Sequence, residues 1–227
     1  MSVIAITDII DCPTIDALMT RYDSEKNQVL QELRNDWMFS IKNLASQERP
    51  QIFHTLGFSG SGKSTLLEYC HENTEIFPEG AFFLGFDRVM ESCQSYQDEF
   101  EKLGAEEAFL RWEIPARALG YELLEEALKR RLHIVFEHSG ARQDHVELLR
   151  HVKNDLGYHL TIMETQVDPQ KALERNKEKA RFQPVEYVLE RKKTIDQLRP
   201  LYHMLADEWY SFDMGIFPPK QIEHEVR

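Results

Sequence analysis

The residues best suited to chemistry form one short run, Gly57-Phe58-Ser59-Gly60-Ser61-Gly62-Lys63-Ser64, followed by Thr65. The pattern G-x-x-x-x-G-K-[ST] lets successive backbone N–H groups curl around a diphosphate, and a helix start adds partial positive charge at the same place. Gly57, Ser59, Gly60, Ser61, Gly62, Lys63, Ser64 and Thr65 are the expected nucleotide contacts. Lys63 is suited to neutralising the β and γ phosphates and Ser64 to offering its hydroxyl to Mg²⁺, with Thr65 buried or capping the first turn. The loop lies between the apolar run Ile52 to Leu56 and the helical stretch from Thr65 to Tyr69, which is the context such a loop needs.

The reaction partner must come from the ends of later strands, facing the nucleotide. Phe83-Leu84-Gly85-Phe86-Asp87-Arg88 closes an apolar run on Asp87. A carboxylate there accepts the proton of an acceptor hydroxyl, helps hold Mg²⁺ through water, or caps the next helix. The run Leu132 to Phe136 closes on Glu137-His138-Ser139-Gly140, as in a Walker B element. Glu137 is read as holding the acceptor's hydroxyls or tuning the magnesium shell, with Ser139 as a neighbouring donor. Lys171, Arg175, Lys177, Lys179 and Arg181 concentrate cations where small kinases carry a lid. Arg175 and Arg181 are preferred because a planar guanidinium grips two phosphate oxygens, and Arg191 is a third candidate. Arg88 and Arg117 are candidates for holding an acceptor, as is Arg111, whereas Trp112 reads as core packing.

Five apolar runs, Ile52 to Leu56, Ala81 to Phe86, Leu132 to Phe136, Leu160 to Met163 and Trp209 to Asp213, alternate with helical patterns. That alternation predicts an α/β fold whose sheet is about five-stranded and mostly parallel. Leu30, Leu33, Trp37, Ile41 and Leu44 give an apolar stripe to an extra N-terminal helical segment. The organisation expected is a helical extension over 1–50, a core over 51–214 with a lid near 170–183, and a tail over 215–227 interrupted by Pro218 and Pro219. Pro115 predicts a break between two helices near Glu113. Asp144 and Glu147 suggest a capping box, and Asp168-Pro169 an N-cap with its first-turn proline.

Composition narrows the function. The 227 residues carry 27 Lys plus Arg against 39 Asp plus Glu, a net charge of −12, which disfavours sequence-independent nucleic-acid binding. No run approaches the length of a membrane span. Cys12, Cys70 and Cys93 are widely spaced and read as unpaired thiols of a cytoplasmic protein. The nine histidines show no ligand spacing, so no histidine metal site is expected. Asn176-Lys177-Glu178-Lys179 puts lysine where a guanine reader has its carboxylate, and no L-S-G-G-Q segment is present. The reading is a small kinase using ATP and Mg²⁺ on a small-molecule hydroxyl. The alternatives are a nucleic-acid-end or tRNA kinase, and a nucleotide-dependent binding switch.

Gly57 to Thr65, Asp87-Arg88, Val135 to Arg142, Leu156-Gly157-Tyr158 and Val167-Asp168-Pro169 together resemble the zeta-toxin-like P-loop kinases, relatives of chloramphenicol phosphotransferase, over roughly residues 35 to 200. The resemblance implies a P-loop NTPase fold and ATP-dependent phosphorylation of UDP-N-acetylglucosamine. It places the loop lysine at Lys63, the aspartate base at Asp87, the substrate-site glutamate at Glu137 and lid arginines at Arg175 or Arg181. It also implies an antitoxin-like protein partner. The sequence departs from the family where I-D-x-D becomes Leu84-Gly85-Phe86-Asp87 and E-G-T becomes Glu137-His138-Ser139, the parts in which acceptor choice resides.

Overall fold

The computed structural model describes residues 5–178 and 183–227. A 3-10 turn at Ile6–Asp8 leads into α1 (Ile15–Met19), α2 (Ser24–Lys42), β1 (Gln51–Leu56), α3 (Lys63–Asn73), β2 (Phe82–Gly85), α4 (Phe86–Glu91), α5 (Gln94–Leu103) and α6 (Ala105–Lys129). The chain continues through β3 (Ile134–Glu137), α7 (Gln143–Asn154), β4 (His159–Gln166), α8 (Pro169–Glu178), α9 (Val185–Leu205), β5 (Glu208–Asp213) and β6 (Lys220–Val226). Among the described residues, no helix is long and apolar enough to cross a membrane. Two compact units result: residues up to Glu48 with Leu84–Leu132, and Arg49–Phe83 with His133–Arg227.

The first unit is helical and organised on α6, which contacts α1, α2, α4 and α5. Ala116, Leu119, Leu123 and Ala127 form the expected buried face. The stripe of α2 is buried at Leu30, Leu33 and Ile41, and Asp23 caps that helix by accepting from Lys26 N at 2.8 Å. Arg34 ties the same helix to α6, donating from Nε to Glu122 at 2.8 Å.

Pro115 does not divide α6 into two helices, contrary to the sequence expectation. A proline at 115 leaves the Arg111 carbonyl without its helical donor. Lys26 Nζ on α2 donates to that oxygen at 3.0 Å, and its charge also lies 4.6 Å from the Trp112 ring centroid. The break is repaired from 85 residues away.

The second unit is built on the sheet. Its order is β2-β3-β1-β4-β5-β6, with β3, β1, β4 and β5 parallel and β6 antiparallel to β5. The sheet has six strands where five apolar runs were visible, because residues 220–226 of the expected tail add an edge strand beyond Pro219. One side of the sheet packs Phe53, Val135, Met163 and Phe212 against Leu66, Leu67 and Cys70 of α3. On α7 and α9, Val146, Leu149, Val152, Ile195 and Tyr202 are buried, and both helices contact β4.

Asp168 caps α8 as expected, accepting from Gln170 N at 2.8 Å. The capping box at α7 does not form: Arg142 holds Asp144, and Glu147 pairs with Arg150 instead. Glu164 on β4 is buried, yet Arg199 (2.6 and 3.0 Å), Ser211 and Gln166 all donate to it. Burial raises its pKa, but these hydrogen bonds outweigh that and hold the carboxyl below its ordinary range.

Lys26→Met should cost about 1 kcal/mol of stability in the native background. It should cost clearly less with Pro115→Ala, where a restored backbone N–H at that position serves the Arg111 carbonyl, so chemical denaturation of the four chains of this cycle should show coupling. Additive losses would contradict the carbonyl-capping role.

Candidate active site

Parallel β1, β3, β4 and β5 bring their carboxyl ends to one edge of the sheet, and the candidate residues of the second unit gather there. β1 runs directly into Gly57, and α3 begins at Lys63 behind Gly62, which is in the left-handed region at φ 93°. Ser61 N donates to Phe58 O at 3.2 Å, and Lys63 Nζ to the same oxygen at 3.2 Å, folding the lysine back over its own loop.

Neighbouring strands fix the loop. Ser61 is fully buried and shares a 2.7 Å hydrogen bond with Thr165 on β4, whose hydroxyl also donates to Leu56 O at 3.3 Å. A Cβ on Gly57 would stand 2.0 Å from that Thr165 oxygen, so only glycine fits. Gly57 N donates to Ser139 O at 3.1 Å, which joins the loop's start to the turn after β3. Gly60, at φ 80°, lies under α8: a Cβ there would stand 2.2 Å from the backbone oxygen of Ala172.

Ser64 is exposed at the first turn of α3 and donates from Oγ to Glu137 Oε1 at 2.6 Å. A hydroxyl and a carboxylate so placed at a phosphate-binding loop are the hard oxygen donors that Mg²⁺ takes, and the residues present fit that ion. Thr65 is exposed, not buried, and Gly62 holds the capping position, which corrects the expectation for that residue.

Arg175 donates from Nη2 to Met214 O at 2.8 Å, and Lys171 Nζ is bonded to Gly215 O. Both cations are thus satisfied by the turn after β5, whose Met214 side chain lies against Gly62. Arg181 lies outside the described residues. Arg191 donates to Ala141 O at 3.0 Å, beside Ser139 in the same turn. Asp87, Arg88 and Arg117 belong to the first unit. There, Asp87 is exposed in the first turn of α4, next to Phe86, whose ring stands so close to Gly120 that a Cβ on that glycine would lie 2.4 Å from it. Arg117 pairs with Glu113 one turn earlier on α6.

Several participants had no sequence signal. Thr165 is one. Asn176 is another: it is 1% exposed, accepts from Ser59 Oγ at 3.2 Å and donates to Gln183 O at 2.8 Å. Three histidines also meet, although their spacing gave no reason to expect it: His54 on β1, His138 after β3 and His145 on α7. Burial pushes the pKa of His54 down to about 3.

A family model described as an AAA domain matches residues 52–199, which include the loop, Glu137 and α8. The chain belongs to the AAA domain family. Among solved structures, this AAA domain chain is similar to one from the PezAT chromosomal toxin-antitoxin system of Streptococcus pneumoniae, with a TM-score of 0.64 and 11% identity over 89% of this chain and 82% of that one. It is also similar to a chain of the AvrRxo1-ORF1:AvrRxo1-ORF2 structure with sulphate ions, with a TM-score of 0.60 and 12% identity over 91% and 71%. The corresponding structure with ATP gives a TM-score of 0.56 and 9% identity over 93% and 71%. No curated protein sequence matches the chain. The likeness is one of fold, and it bears out the resemblance to zeta-toxin-like P-loop kinases at that level.

Gly60→Ala should destabilise the chain more than Gly157→Ala. Gly157 has φ 70° but nothing within 4 Å of its Cβ, so only backbone strain of about 1–2 kcal/mol acts there. Equal shifts in thermal unfolding would show that α8 does not rest on the loop.

Proposed function

We propose that this protein is a phosphotransferase that moves the γ-phosphoryl of ATP to a hydroxyl of a small molecule, with a nucleotide sugar such as UDP-N-acetylglucosamine as the favoured acceptor class. The observation that carries the reading is the 2.6 Å hydrogen bond from Ser64 to Glu137 at the mouth of the Gly57–Ser64 loop. It unites the hydroxyl and the carboxylate that a nucleotide-bound metal requires. A fold shared with a structure that contains ATP supports the choice of nucleotide.

In this reading the backbone N–H groups of Gly57 to Ser64 would cradle the diphosphate, and Lys63 Nζ would exchange Phe58 O for phosphate oxygens. Ser64 and Glu137 would hold Mg²⁺, directly or through water, and that ion when bound would spread the charge of the transferring group. Asp87 would take the proton of the acceptor hydroxyl while its oxygen attacks the γ-phosphorus in line. The new P–O bond forms as the bond to the β-phosphate breaks, giving ADP and the acceptor's phosphate ester. Arg175, released from Met214 O, and Arg181 would close on the phosphoryl oxygens, while Arg88, Arg117 and Ser139 would orient the acceptor. Removing one such arginine typically costs about 10³-fold or more in rate. The PezAT relative comes from a toxin-antitoxin system, and a protein partner that covers this site belongs to the same reading.

Asp87→Asn should keep ATP binding within about twofold and lower transfer by at least about 100-fold. The measurement is phosphorylated product, by mass spectrometry, from purified protein, Mg·ATP and a deproteinised metabolite extract supplemented with nucleotide sugars. Undiminished transfer by the variant would remove Asp87 from the role of base. ATP binding with no phosphorylated small molecule would overturn the acceptor class.

A further inference from the structure

His54, His138 and His145 converge from three separate elements, and each offers a ring nitrogen within 4.8 Å of the other two. His54 is fully buried in β1, and neither of its ring nitrogens has a hydrogen-bond partner among the described residues. Its ring lies parallel to that of Tyr202 at 5.7 Å, and His138 and His145 lie at 5.8 and 6.0 Å. His138 and His145 stack at 3.6 Å with 8° between their planes. A buried imidazole with two unserved nitrogens is costly, because each polar atom has given up its water without a replacement partner. A native chain retains such a group where something else occupies its lone pair.

We infer that His54, His138 and His145 form a binding site for one divalent transition-metal ion of the zinc class, behind the phosphate-binding loop. Imidazole nitrogens suit zinc, copper or nickel and suit magnesium poorly, so this site and the Ser64–Glu137 pair would not compete for the same ion. An ion bonded at about 2.0–2.1 Å to three imidazoles holds their nitrogens about 3.4 Å apart and lies in the plane of each ring, so the three rings must close on binding and the stacked rings of His138 and His145 must turn out of parallel. At His138 the lone pair of Nδ1 accepts from Gly140 N at 3.0 Å. Coordination exchanges that hydrogen bond for a metal bond, with no proton having to leave the ring.

The position gives the ion a consequence. His138 directly follows Glu137, and its backbone N–H and C=O both bond the Thr55 hydroxyl, at 3.0 and 2.7 Å. A metal there ties β1, the turn after β3 and α7 together immediately behind the carboxylate that receives Ser64. It is a structural staple for the turn, and it stands whether or not the phosphotransferase reading does.

The test uses the untagged full chain, stripped with chelator and then equilibrated with Zn²⁺ and separately with Co²⁺. The expected result is one equivalent of zinc per chain by elemental analysis, a raised thermal midpoint, and the visible absorption of four-coordinate Co²⁺. His54→Phe and His145→Gln should each weaken binding about 100-fold or more, beyond the 10–100-fold typical of losing only a ligand's outer hydrogen bond. His54→Phe replaces the unserved ring with an apolar one of similar shape, so the metal-free variant should stay folded, and His145→Gln provides an independent reading. His203→Ala, in the half-buried cluster with Glu223 and Glu225, should bind as the native chain does. No retained zinc, zinc binding unchanged by both triad variants, or loss with His203→Ala would each overturn the inference.

Discussion

The parallel pairing of β1 with β3, in the register His54 to Phe136, is the constraint on which the site depends. It sets the end of one strand, where Gly57 begins the loop, beside the end of the other, where Glu137 stands. From that single alignment follow the Ser64 to Glu137 hydrogen bond, the Gly57 N to Ser139 O bond and the double use of the Thr55 hydroxyl by His138. A slip of one residue would send every side chain of the strand to the opposite face and separate the hydroxyl from the carboxylate. The loop is therefore held as much by β3 and β4 as by its own glycines, with Thr165 supplying the second wall.

The α8 side of the loop rests on a different kind of contact. Gly60 admits the backbone of α8 because it has no Cβ, and Arg175 and Lys171 reach the carbonyls of the turn after β5. These bonds go to neutral oxygens, which the anionic oxygens of a phosphate group outcompete as acceptors. The same cations hold α8 to that turn, and in the proposed function they would exchange these oxygens for those of the phosphates.

What the sequence made legible is what sterics demands of particular residues. Gly57, Gly60 and Gly62 announce the loop because no other residue fits, and the apolar runs of β1, β3 and β4 announce buried strands. The edge strand β6 was not legible, since Lys220–Val226 is largely exposed and polar and follows two prolines. The continuity of α6 was hidden because the donor that repairs Pro115 is a lysine far away in sequence. Thr165, Asn176 and the three histidines carry no local pattern. Their partnerships exist only once β1, β3, β4, α7 and α8 are assembled.

The most direct test of the account is the Mg²⁺ dependence of ATP affinity in the native chain and in Glu137→Gln, measured by calorimetry with and without the ion. The account predicts that Mg²⁺ tightens ATP binding to the native chain and that the variant, which keeps the loop and Lys63, loses most of that gain while binding metal-free ATP as before. Equal Mg²⁺ dependence in the two chains would contradict it, because the carboxylate at the end of β3 would then have no part in holding the metal.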